Sequence, residues 1–211
     1  MSSEVKNKEK VQMDPKYLIT LTVTLFITCV IVAGLLGGVN AITKDKIAAI
    51  NWEKTVEAMK AVVADPDSTE FSDALELTDD MSAAAASAGG TLDSVYEVLV
   101  NGEHAGYAIK VVASGSQGSI EMMVGVDAES VVTGVSIVDN AETAGIGSKV
   151  MENEPVASGV GVLSQFVGKS VATDGTLAVG SNVDAITGAT VSTKGVTTGV
   201  NAALAVAGAI G

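Results

Sequence analysis

The sequence predicts an α+β domain, an antiparallel sheet flanked by helices, preceded by a single transmembrane helix. Three observations carry this expectation. Residues 17–39 contain no charged side chain, and a helix of that length, at about 1.5 Å per residue, spans the roughly 30 Å hydrocarbon core of a bilayer. From Leu92 the apolar pattern changes to the two-residue alternation of half-buried strands, interrupted at Asn101-Gly102 by a strong hairpin signal. After residues 184–194 (DAITGATVSTK) the chain runs to its end in Val and Ala, as a helix closing over a sheet would.

Composition sets the frame. A chain of 211 residues suits one well-packed domain with an appendage. Acidic residues outnumber basic ones 25 to 12, every basic residue is Lys, and the formal charge is −13. Such a surface repels nucleic acid, which is excluded as a partner. A positive mean hydropathy beside this acidity points to one very apolar segment joined to a polar domain. Cys29, the single cysteine, lies in that segment and can form neither an internal disulfide nor a cysteine-ligated cluster. His104 is the only histidine, so a His-rich metal centre and Ser-His-Asp or Cys-His catalysis have no residues to draw on. No metal ligands and no catalytic residues are assigned.

Taken in order, residues 1–16 are polar and Lys-rich and read as a cytoplasmic tail. Residues 17–39 form the transmembrane helix; their Ile, Val and Thr disfavour helix in water, but lipid demands internal pairing of every backbone group. A cleaved signal peptide ending near Val39-Asn40-Ala41 is the competing reading, and the run exceeds the roughly 7 to 15 apolar residues of such a signal. Lys44 and Lys46 balance the N-terminal lysines, so orientation follows from the short tail and the acidic bulk of the chain: N-terminus inside, main domain on the outer face.

Residues 40–94 read as an amphipathic stalk and an acidic connector. Ile47, Ile50, Val56, Met59 and Val63 recur at helical spacing. Trp52 can lie at the lipid headgroups or against the globular domain. Pro66 ends the helix, and the acidic, alanine-rich run up to Gly90 reads as a mobile connector or a loosely packed helix. Residues 95–211 form the main domain. Strands are expected over 95–100, 107–113, 120–126 and 131–138, followed by a helical patch at 160–167, a short strand at 177–179 and a helix over 191–210, weakened by Gly195, Gly199 and Gly208. His104, beside the hairpin turn, reads as a surface residue.

Two stretches carry candidate chemistry. Residues 139–147 form a loop in which Gly145 and Gly147 can let backbone amides approach a ligand. Residues 184–190 lead into a helix start, where Thr190 has two readings. It can be an N-cap whose hydroxyl accepts a bond from a backbone amide, or its hydroxyl can carry or adjoin a phosphate held by exposed amides and the helix dipole. Gly188 and Ala189 leave the approach open. Asp184 would repel a phosphate unless it caps a turn or positions a cation.

The pattern Asp184-x-x-Thr187-Gly188-Ala189-Thr190, preceded by Glu142-Thr143-x-Gly145-x-Gly147, resembles the FMN-binding domain shared by the G subunit of Rnf electron-transport complexes and the C subunit of sodium-translocating NADH:quinone reductase. The resemblance implies FMN bound as a phosphoester on Thr190, with Asp184, Thr187, Gly188 and Ala189 completing the attachment motif and Glu142, Thr143, Gly145 and Gly147 lining the flavin. It implies a flavin transferase that uses FAD, with Asp184 serving its recognition or its metal. It also implies electron transfer within an ion-translocating ferredoxin:NAD oxidoreductase complex, whose other membrane and peripheral subunits are the partners beside the lipid bilayer. The subunit completes no reaction alone. Chain length favours the Rnf protein over its quinone-reductase counterpart. Asn140 and Ala144 stand where the family often has His and Pro. The rivals are a stand-alone extracytoplasmic flavoprotein relay, distinguished by its failure to co-purify with multi-span subunits, and a non-redox binding module, distinguished by the absence of flavin absorbance.

Overall fold

The computed structural model describes residues 15–210. The expected tail therefore lies, except for its last two residues, outside the described residues. The chain divides into two units, one ending at Ile50 and one beginning at Asn51.

The part of helix α1 (Pro15–Ala61) that lies in the first unit exposes its apolar side chains throughout residues 17–39, among them Leu21, Phe26, Ile31 and Leu35. It is long and apolar enough to cross a membrane. Its threonines do not interrupt that surface. Thr20, Thr22, Thr24, Thr28 and Thr43 each donate their hydroxyl to the carbonyl one turn earlier, at 2.8–2.9 Å. Every polar atom they add is thus paired within the helix, as lipid requires.

The second unit is an antiparallel sheet in simple sequence order, β1 (Thr69–Phe71), β2 (Thr91–Val100), β3 (Glu103–Ser114), β4 (Ser119–Asp127) and β5 (Val132–Asn140). The period-two pattern sorts its residues between two faces. Ile120, Met122, Val124 and Val126 of β4 join Ile109 and Val111 of β3 in one core, while Met123 and Ala108 point to the other. The turn between β2 and β3 has positive φ at both Asn101 (54°) and Gly102 (81°), the geometry that matches the strand twist.

Helix α5 (Thr190–Ile210) covers the first face together with α2 (Asp79–Ser87). The glycines of α5 are contact points rather than mere weaknesses. A Cβ on Gly195 would lie 2.6 Å from the Ser114 carbonyl, and one on Gly199 would lie 2.5 Å from Met122 Sδ. The last turns of α1 cover the second face through Ala58, Met59 and the following Val62. Thr133 Oγ1 donates to the Val62 carbonyl at 2.7 Å. Trp52 lies 6.3 Å from the Tyr96 ring, so it contacts the sheet domain.

The acidic, alanine-rich segment, expected as a mobile connector or a loosely packed helix, contains a helix and also an edge strand. It holds edge strand β1, paired with β2 at Thr69–Val100, and α2, whose Thr78 cap accepts from the Met81 amide at 3.2 Å. Asp79 and Asp80 suit the positive end of that helix. The alanines permit close packing, with Ala85 fully buried. Later, α3 (Ser148–Met151), a 3₁₀ turn (Ser164–Phe166) and α4 (Val171–Asp174) bridge to α5. The strand expected at 177–179 reduces to a single bridge, Val179 with Val183, because a tight turn fastened by Asn182 follows at once.

Candidate functional site

Three loops converge beside the first turn of α5. They are the β3–β4 hairpin tip at Ser116 and Gln117, the loop after β5, and the turn at Gly188. Together they line a cavity of about 310 Å³ with Glu142, Thr143, Ile146, Gly147, Ala189, Thr190, Val191 and Ser192. Close approach of α5 to the hairpin at Gly195 brings these parts together.

The turn preceding α5 closes with Ala189 N–H donating to the Ile186 carbonyl at 2.9 Å, and Gly188 adopts φ of 87° within it. A side chain is disfavoured at that φ, and the space around Gly188 is open. Thr190 is the first residue of the helix, so the cap position falls to Ala189. The Ala189 carbonyl accepts from Thr193 N–H at 2.9 Å and from Thr193 Oγ1 at 3.0 Å. Alanine has no side-chain oxygen with which to cap. Consequently the N–H groups of Thr190, Val191 and Ser192 donate to no protein acceptor among the described residues, and Thr190 Oγ1 is exposed and unpaired. Of the two readings of Thr190, the N-cap is therefore not what this geometry shows. Unclaimed amides at the positive end of a long helix form a site for an anion.

Across the cavity, Glu142 is fixed by its neighbours. Its Oε1 accepts from Ser116 N–H, and its own N–H donates to Asn140 Oδ1 at 3.1 Å. Its Oε2 is buried without a hydrogen-bond partner. Gly115 and Gly147 make room for this carboxylate: a Cβ on Gly115 would clash with Oε1, and one on Gly147 would sit 2.5 Å from Oε2. The amide of Gly147 donates to the Thr143 carbonyl at 3.1 Å, and that of Gly145 to Ser148 Oγ at 2.9 Å. These two glycines therefore do not free amides for a ligand. Gly147 shapes the Glu142 cradle, and Gly145, with φ of 84°, turns the loop.

Glu142, Thr143, Gly147, Gly188, Ala189 and Thr190 thus meet at one cavity. Gly145 and Thr187 stand just outside it. Asp184 lies in a separate polar groove of about 500 Å³ with Gln165, Lys169, Asn182 and three serines. Among the described residues no cluster of three or more His, Cys, Asp or Glu side chains is placed to hold a metal ion. Sequence reasoning missed Ser116, Gln117, Ile146, Val191 and Ser192. The turn signal Gly115-Ser116-Gln117-Gly118 was available for the hairpin, but nothing local ties it to a helix some 75 residues later.

The FMN-binding domain family matches residues 115–205, from the hairpin tip into α5. The chain is 34% identical to the G subunit of the Na⁺-translocating ferredoxin:NAD⁺ oxidoreductase complex of Acetobacterium woodii, over 96% of this chain and 97% of the relative. The chain belongs to this G-subunit family. Two other members are the G subunits of the ion-translocating oxidoreductase complexes of Aliivibrio fischeri (32% identity, 78% of each chain) and Methanosarcina acetivorans (27%, 90% of this chain and 95% of the relative). These findings place the Rnf-type protein ahead of its quinone-reductase counterpart. They also make the protein a membrane-anchored FMN-binding subunit, with the apolar part of α1 as its anchor.

The residues present fit FMN. The unclaimed amides at the start of α5 suit its phosphate, Ile146 and Val191 offer apolar contact, and the orphaned Glu142 Oε2 seeks a donor of the kind that ribityl hydroxyls or a ring N–H provide.

Proposed function

We propose that this subunit carries FMN as a phosphoester on Thr190 Oγ1, on the outer face of the membrane, and relays electrons within an ion-translocating ferredoxin:NAD oxidoreductase complex. The observation that carries the reading is the state of Thr190: an exposed, unpaired hydroxyl on a helix whose first amides are unclaimed, opening on a cavity that holds an orphaned carboxylate oxygen. Bound FMN supplies one- and two-electron chemistry.

The chain's own residues bind and orient. The N–H groups of Thr190, Val191 and Ser192 and the α5 dipole hold the phosphate in a chain that has no Arg to clamp it. Glu142 borders the flavin and orients it through its carboxylate, and Gly147 leaves room for that carboxylate in the cavity wall. Thr143 borders the flavin, while Gly145 and Thr187 shape the flanking turns. A covalent tether keeps the cofactor on a face of the membrane where a dissociating one would be lost. Its attachment calls for a flavin transferase using FAD, and the exposed Asp184 carboxylate serves recognition by that enzyme or its metal. The acidic main domain supports the outward orientation.

Intact mass tests the attachment. When the chain is produced with its transferase, the parent gains the mass of FMN less water and Thr190→Ala does not. A parent without that added mass overturns the reading. If Asp184→Asn loads as fast as the parent, the role given to Asp184 is wrong.

A further inference from the structure

The segment that delivers Thr190 starts at Asp184, and one side chain holds its backbone there. Gln165, on the 3₁₀ turn, accepts from Asp184 N–H through Oε1 at 2.8 Å and donates through Nε2 to the Asp184 carbonyl at 2.9 Å. The same Nε2 donates to the Val162 carbonyl at 2.9 Å. The carboxamide thus serves Asp184 as a neighbouring strand would, pairing both of its backbone groups. Gln165 itself is well supported. Phe166 beside it is fully buried, and Asn153 Oδ1 accepts from the amides of Leu163 (2.7 Å) and Ser164 (3.2 Å). Asp184 is exposed, so without Gln165 water would take over its backbone groups. What would be lost is the fixed position of the segment rather than the fold.

We propose that Gln165 is a positioning residue for flavin attachment. It fixes the entry of residues 184–190 so that the Thr190 hydroxyl occupies one place before the cofactor arrives. This rests on the reading that Thr190 accepts FMN. In that step a bond forms between Thr190 Oγ1 and the FMN phosphorus, and the P–O bond of the FAD pyrophosphate breaks. AMP leaves with the electron pair, the hydroxyl proton passes to a base, and nothing is oxidised or reduced. Gln165 contributes no atom to this chemistry. It removes the conformational freedom of the attacking group, a term in which misplacement by about 1 Å can cost on the order of a hundredfold in rate.

The test uses the full chain with its transferase and FAD, comparing the parent with Gln165→Leu and Gln165→Glu. Gln165→Leu removes both bonds to Asp184; Gln165→Glu keeps the acceptor and sets an oxygen against two carbonyls. Loading is followed by intact mass, folding by thermal unfolding, and the Asp184 amide by hydrogen exchange. The expected result is a loading rate at saturating FAD reduced by about tenfold or more, with the KM for FAD unchanged and both variants folded. Exchange at Asp184 accelerates in Gln165→Leu. Variants that load at the parent rate, or that slow only in proportion to their unfolded fraction, overturn the proposal while leaving the attachment reading intact. A parent that takes up no FMN overturns both.

Discussion

Threonine serves opposite ends in two helices of this molecule. In the apolar stretch of α1, Thr20, Thr22, Thr24 and Thr28 each give their hydroxyl to the carbonyl one turn back, and none remains to react. In α5, Thr193 and Thr197 do the same, at 3.0 and 2.8 Å. Thr190 differs because it is the first residue of its helix: the carbonyl four residues back, on Ile186, belongs to a turn and accepts from Ala189 N–H instead. One position in one helix thus separates a hydroxyl absorbed by its own backbone from a hydroxyl left for chemistry. Availability comes from the turn at Gly188 and the absent cap, not from the residue type.

The contrast breaks most directly at the cradle opposite Thr190. Gly115→Ala, which strains no φ, places a methyl group on the Glu142 carboxylate and should destabilise the domain by about 1–3 kcal/mol while lowering FMN loading; thermal unfolding and intact mass read both effects. Next come the α5 threonines themselves. Thr193→Val removes a buried hydroxyl that is bonded to Ala189 and should cost about 1 kcal/mol in chemical denaturation without preventing attachment. Thr190→Val should change the stability of the flavin-free chain by no more than about 0.5 kcal/mol and abolish attachment. If Thr193→Val lost FMN while Thr190→Val kept it, the assignment of roles would be reversed.

A smaller effect lies in the sheet. Lys110, only 14% exposed, pairs with Asp93 at 3.2 Å and with Glu121 at 3.3 Å across β2, β3 and β4. Burial pulls its pKa down, but the two carboxylates together outweigh this and hold it above the ordinary 10.5. A raised folded pKa means that the cluster's stability is complete below the ordinary value and is lost as pH rises through the folded one. The thermal midpoint should therefore fall more steeply at alkaline pH in the parent than in Lys110→Met. Least of all, Thr24→Val in α1 should leave both membrane retention and FMN loading unchanged, because its hydroxyl serves only its own helix.

Much of the fold was legible because its signals are local. A charge-free run, the Asn101-Gly102 turn and the alternation through β2 to β5 each announce themselves within a few residues. What escaped depends on distant partners. The alanines of α2 look featureless until Ala85 joins Ala202 and Ala203 of α5 in one core. β1 is too short to show a pattern and exists through its pairing with β2. At the site, the helix start near Thr190 could be read from sequence, but the Glu142 cradle could not: Gly115 and Gly147 matter because a carboxylate from a third position lies between them. Gln165 carried no signal at all, since its partners are backbone atoms of Asp184.

The central claim is that one threonine among several carries FMN. It is tested most directly by digesting the natively produced protein and locating the FMN-bearing residue by fragment mass. The account predicts the added mass on Thr190 alone, with Thr187, Thr193, Thr197 and Thr198 unmodified. FMN on any of those four, or on no residue of this segment in a chain made with its transferase, would contradict it.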